Sequence, residues 1–264
     1  MGDSITYSQT TKAKAAKGQA KWLALALLAV LLTAIIVVHF SSTPTTTRAD
    51  NKNVADEFGF VPLQQQRDLG KAQAYYDCGV VYCKAGAFDS AISDFNKAIE
   101  INPDFAEAYC ARGIAYGKEG AHGLAISDYT KAIEINPRLA VAYFQRGRIY
   151  MMKDQNELAI SDLNKAIEID PNDSKSFLLR GSIYEDEGAY DLAISDFNKA
   201  IVLNPKEGGA YYLRGCVYFF IKKEFDLAIT DYTKAIEINP RLAAAYFQRG
   251  SVYAIKGQDD LAIS

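Results

Sequence analysis

The chain has 264 residues, with 29 lysines and arginines against 32 aspartates and glutamates, for a net charge of −3. Its two histidines, His39 and His122, are far apart, which leaves little for imidazole catalysis or a His-rich metal site. An acidic balance also argues against nucleic acid, whose phosphates call for clustered Lys and Arg.

Residues 1–21 form a short basic tail. It holds Lys12, Lys14, Lys17 and Lys21 against Asp3, a net +3, so the remainder carries −6. Trp22 to Phe40 follows as WLALALLAVLLTAIIVVHF. At about 1.5 Å per residue this stretch spans roughly 28 Å, close to the ~30 Å hydrocarbon core of a bilayer. It is longer than the apolar core of a cleaved signal, and no clear small-x-small cleavage site follows. The reading is an uncleaved transmembrane anchor; a cleaved signal is the rival. Lysines before the anchor and few basic residues soon after it place the tail in the cytoplasm and the rest on the far side, periplasm or lumen. Residues 41–71 read as a linker, Ser/Thr-rich from Ser41 to Thr47, with Pro62 to Lys71 able to begin a helix.

From residue 72 the sequence repeats every 34 residues. Gly79, Gly113, Gly147, Gly181, Gly215 and Gly250 each have an aromatic residue four positions before and a tyrosine three positions after. In the unit 106–139, Tyr109, Gly113 and Tyr116 fall on one helical stripe. Gly120 and Gly123 mark a turn. Leu124, Ala125, Ile126, Tyr129, Ala132, Ile133 and Ile135 make a second stripe, which Asn136-Pro137 ends. Each unit is thus an antiparallel helix pair that cannot bury both stripes alone, so the pairs stack.

These positions resemble the tetratricopeptide repeat family. In the first unit they are Tyr75, Gly79, Tyr82, Ala91, Phe95, Ala98 and Pro103; in the fourth, Phe177, Gly181, Tyr184, Ala193, Phe197, Ala200 and Pro205. The match covers 72–105, 106–139, 140–173, 174–207 and 208–242, with a partial unit at 243–264. The resemblance implies an all-α, right-handed α-solenoid, which here would follow the single N-terminal transmembrane helix read from residues 22–40. Two departures stand out. The fifth unit has one extra residue, expected in its turn within Phe219–Phe225, and the third has Leu163 where the others carry Phe or Tyr. Leu124–Gly147 recurs as Leu227–Gly250 with only Ser127/Thr230 and Val141/Ala244 changed, which points to duplication of a block.

Members of the family bind extended peptides in a concave groove lined by the first helices. By that resemblance the groove here is apolar and aromatic, with Tyr76, Phe144, Arg148, Met151, Leu178, Tyr212, Phe219 and Phe247 as peptide-binding residues. Arg148, Glu185 and Asp186 are its few charges. The Lys and Asn of a carboxylate clamp are absent from the matching positions. The rival role for the aromatic stripe is packing between repeats.

Arg112, Arg146, Arg180, Arg214 and Arg249 share one register in the first helices, and Asp94, Asp128, Asp162, Asp196 and Asp231 share one in the second. A structural Arg–Asp ladder is expected. Cys78, Cys83, Cys110 and Cys216 are expected to be unpaired and to bind no metal. The functional expectation is a membrane-tethered scaffold that binds a protein or peptide segment, without cofactor, metal, nucleic acid or catalysis. Its alternatives are an import-type receptor facing the cytosol and self-association through the last repeat.

Overall fold

A computed structural model describes residues 63–262. The tail 1–21, the stretch 22–40 and the linker as far as Pro62 lie outside the described residues, so the expected anchor does too. Among the described residues no helix is long and apolar enough to cross a membrane.

The described residues form helices and turns, without a strand. Five helix pairs follow one another: α1 (Leu63–Lys84) with α2 (Phe88–Ile101), α3 (Ala106–Lys118) with α4 (His122–Ile135), α5 (Ala140–Met152) with α6 (Asn156–Ile169), α7 (Ser174–Asp186) with α8 (Tyr190–Leu203), and α9 (Gly208–Cys216) with α10 (Phe225–Ile238). α11 (Ala243–Ile255) and the single turn α12 (Asp259–Ala262) begin a sixth. First helices of the first four units touch one another in turn, whereas each second helix packs mainly on the first helix of its own unit and of the next. The first helices therefore make one layer and the second helices the other.

The seam within each pair is set by size. The ring of the second helix lies on the bare glycine of the first. A Cβ at Gly79 would stand 2.5 Å from Phe95, at Gly113 2.7 Å from Tyr129, at Gly181 2.8 Å from Phe197 and at Gly215 2.9 Å from Tyr232. All four rings are fully buried, flanked by alanines such as Ala125 and Ala132 that are buried with them. Leu163 explains the departure in the third unit. Without a ring to seat, Gly147 has its nearest neighbour, the Ala159 carbonyl oxygen, at 3.2 Å from a built Cβ.

The Asn-Pro or Asp-Pro terminators work through two effects. Proline holds the preceding residue out of the helical region, and Asn102, Asn136, Asp170, Asn204 and Asn239 all have ψ of 86–90°. Each side-chain oxygen then accepts the backbone N–H two residues on, from Asp104, Arg138, Asn172, Lys206 and Arg241, at 3.0–3.3 Å. This turn launches the next first helix. From α2 to α11 only α7 has a side-chain N-cap, Asp173, which accepts from the N–H groups of Lys175 and Ser176.

The turn inside each pair needs a left-handed residue. Gly86, Gly120, Gly188 and Gly257 supply it, at φ of 69–77°; Asp154 and Lys223 take the same role at 55° and 57°. The extra residue of the fifth unit is not spent in that turn as expected. It is absorbed upstream, where the first helix widens into a π-helix over Val217–Lys222. This widening buries Phe219 and leaves Phe220 and Ile221 exposed.

Two predictions follow from the seam and the turn. Gly113→Ala should destabilise the fold by about 1–3 kcal/mol, because the Tyr129 ring must move, while Gly147→Ala should be close to neutral, its helix propensity gain of up to ~1 kcal/mol offsetting a mild contact. Asp154→Gly should raise stability by up to about 1 kcal/mol by relieving a left-handed non-glycine. Thermal and urea unfolding followed by circular dichroism reads all three.

Candidate functional site

A ladder of Arg–Asp pairs runs between the helices. Arg112, Arg146, Arg180 and Arg214 each grip the aspartate of their own unit, Asp128, Asp162, Asp196 and Asp231, through two bonds of 2.6–2.8 Å. The third nitrogen donates to the preceding unit, to Asn96, Thr130, Asn164 and Asn198 in turn. Each guanidinium also lies 5.4–5.9 Å from the centroids of two rings on its own helix, such as Tyr109 and Tyr116 around Arg112. One arginine thus ties three helices and satisfies a buried carboxylate. The pairing holds the charged form of each arginine, against the opposing effect of burial. Burial raises the carboxyl of Asp231 in spite of Arg214, yet two bonds of 2.8 and 2.6 Å are those of an ionised pair.

The rungs at either end differ. The first unit has Cys78 at the arginine position, and its Asp94 pairs with Lys97 instead at 2.9 Å. Arg249 donates to Thr233 at 3.3 Å and lies over the Tyr246 ring.

The residues expected in the groove do not form one exposed stripe. Tyr76 is half-buried against Phe95 and Phe105, with ring centroids 5.9 and 5.0 Å away. Phe144 and Met151 pack against the cluster of Ala159, Leu163 and Ile183. Leu178 bridges two clusters around α8. Tyr212 lies 6.0 Å from Tyr232, and Phe219 is buried beside both. Phe247, on α11, is 72% exposed. Most of these side chains thus contribute packing within and between units. Arg148 is the exception. It is half-buried, its Nε is sealed from solvent, and no described acceptor meets that nitrogen.

Models of the tetratricopeptide repeat match residues 106–139 and 140–173 in one form, 174–207 in another, and 79–120 and 219–257 in a third described as TPR repeat. Together they cover more than half of the sequence. The chain belongs to the tetratricopeptide repeat family. Among solved structures, MamA is similar at 28% identity and a TM-score of 0.56, over 63% of this chain and 96% of its own. The pilF protein of Pseudomonas aeruginosa is similar in fold, with 21% identity, a TM-score of 0.68 and coverage of 76% and 89%. YrrB, described as a TPR protein with an unusual peptide-binding site, gives 22%, 0.55, 75% and 97%. No curated protein matches the sequence.

In this TPR array the four cysteines are free, as expected. Burial, with the charges of Glu107 and Asp128, pushes the Cys110 thiol up to about 12, which makes it a poor nucleophile. Sequence reasoning missed a row of leucines on the second helices. Leu124, Leu158, Leu192, Leu227 and Leu261 are all about half exposed. The signal was present, a Leu before each Ala-Ile from the second unit on, but apolar periodicity assigned it to the core.

Arg146→Gln should cost about 3 kcal/mol, because it strands the Asp162 carboxylate between helices; an unchanged melting temperature would remove the packing role. On the first-helix layer, burial and then the charge of Asp186 raise the Glu185 carboxyl. A raised carboxylate weakens the fold once ionised. Glu185→Gln should therefore stabilise the protein at neutral pH, and the gain should vanish as pH falls through the raised pKa of the wild-type carboxyl. Melting curves of both proteins across that range test the sign.

Proposed function

We propose that the protein is a membrane-tethered scaffold whose first-helix layer binds a segment of a protein partner. The observation that carries this reading is the division of labour between the layers. Four arginines are consumed in holding helices together, while the first-helix layer keeps apolar edges and Arg148, a half-buried arginine whose sealed Nε meets no described acceptor. A family built for protein binding, and a sequence without a nucleophile–base pair or phosphate-cradling loop, support binding over catalysis. The tether is the apolar stretch Trp22–Phe40, with residues 1–21 cytoplasmic and the repeats in the periplasm or lumen.

The cysteines favour a second topology. Four free thiols suit a reducing compartment, which would make the protein a cytosol-facing receptor with the same binding layer. Protease treatment of sealed membranes separates the two: repeats behind the bilayer stay intact until detergent is added, and cytosolic repeats are digested at once.

The binding layer is tested by a benzophenone side chain placed in the full chain at Ser182, on a first helix, or at Ser161, on the exposed side of a second helix. Irradiation in intact membranes should crosslink a distinct protein from position 182 and not from 161. Equal products from both, or none from 182, would move the site off the first-helix layer.

A further inference from the structure

The duplicated block provides an internal comparison. α4 and most of α5 recur in α10 and α11, so the same buried tyrosine, Tyr129 or Tyr232, sits beneath two different first-helix surfaces. Over Tyr232 the surface is filled. Tyr212, Cys216 and Phe219 pack on it, and the position after Gly250 is Ser251, whose hydroxyl donates back to the Phe247 carbonyl at 2.9 Å.

Over Tyr129 the corresponding residues are Cys110, Ile114 and Gly117. A phenol has become a thiol and a phenyl ring has become hydrogen. A Cβ at Gly117 would meet only the Tyr129 hydroxyl, at 3.8 Å, and Ile149, at 3.9 Å. Gln145, the counterpart of Gln248, has its side-chain oxygen buried and unpaired. The position after Gly147 is now Arg148. Gly117 lies against the Tyr129 phenol, and the Arg148 charge acts on that same phenol, opposing burial and Cys110, which raise it.

Arg148 differs from the ladder arginines in every respect that matters. Arg112, Arg146, Arg180 and Arg214 each hold a carboxylate in two-point contact. Arg148 has no described carboxylate as a partner, and its buried Nε has no described acceptor. Glu185, the acid of the next unit on this layer, owes its shift to burial and Asp186, with no part from Arg148. A half-buried cation without counter-charge costs stability. The fold does not demand it, since the duplicate tolerates serine at this place.

We propose that Arg148, in the space left by Gly117, receives an acidic side chain of an extended peptide segment lying along the first helices. This rests on the inner-layer reading of the preceding subsection and names the partner's chemistry. A carboxylate supplies the missing charge and matches the guanidinium fork. First helices continue on both sides of α5, so a segment filling this layer passes Arg148 midway and presents a side chain rather than its end.

The test is selection of short random peptides, in one pool capped at both ends and in another with a free C-terminus, on the purified full-length protein. Capped peptides with Asp or Glu at one position should be enriched. Replacing that Glu with Gln in a selected peptide should weaken binding roughly tenfold, a difference of about 1.4 kcal/mol. Arg148→Ser, which copies the duplicate, should remove that difference while leaving binding of the Gln peptide unchanged. Gly117→Met, which copies the methionine at the same place in the next unit, should weaken the Glu peptide by closing the space. Selected peptides without acid preference, or a preference that survives Arg148→Ser, would overturn the assignment and leave the inner-layer reading standing. Enrichment confined to free C-termini would assign the guanidinium to a chain end and overturn the side-chain proposal. Selection of no peptide in either pool would overturn both readings.

Discussion

A missing side chain holds this array together. At Gly79, Gly113, Gly181 and Gly215 the first helix approaches the second so closely that an aromatic ring occupies the place of a Cβ. This contact fixes the distance and the register within each pair. With the register fixed, the arginine just before the glycine falls opposite an aspartate of the second helix, and small alanines close the seam on either side of the ring. Where Leu163 replaces the ring, the glycine is relieved but the arginine pair persists at 2.8 Å. The ladder therefore reinforces the seam from a second chemistry.

The ladder also clarifies what the first-helix layer offers. Buried charges are tolerated when paired and hydrogen-bonded, and costly when not. Four arginines meet that condition with two or more units sharing each guanidinium, and this links neighbours as well as helices within a pair. Against that background Arg148, with its Nε buried and without a described acceptor, stands out. Duplication supplied both the scaffold and its variation. Nearly the same 24-residue stretch, from Leu124 or Leu227 to the following unit glycine, lies beneath Gly117 in one place and beneath Phe219 in the other.

Much was legible from residue spacing. Helix pairs, their ends at Asn-Pro, the Arg–Asp ladder and the unpaired cysteines all follow from local chemistry repeated at a fixed period, and repetition turns a weak signal into a strong one. The groove residues were less legible. Tyr76, Phe144, Leu178 and Tyr212 sit at positions that face the first-helix layer, yet each side chain is large enough to reach a neighbouring helix and pack there. Exposure depends on what stands opposite, which one-dimensional register does not contain. The extra residue of the fifth unit was placed a few positions too late for a similar reason, since a π-helix absorbs it without disturbing the turn.

The sequence by itself determined the repeat, the pairing of helices and the terminators, because each rests on interactions between residues a few positions apart or one period apart. It also carried the apolar stretch near the N-terminus, whose length is a property of sequence alone. Only the tertiary structure decided which charges are neutralised. Arg146 and Arg148 are two residues apart on one helix; the first is held by Asp162 and the second by no described carboxylate. That difference arises from the face of the helix each occupies and from the neighbours packed against it, and it separates a residue that builds the scaffold from one whose charge the described fold leaves unpaired.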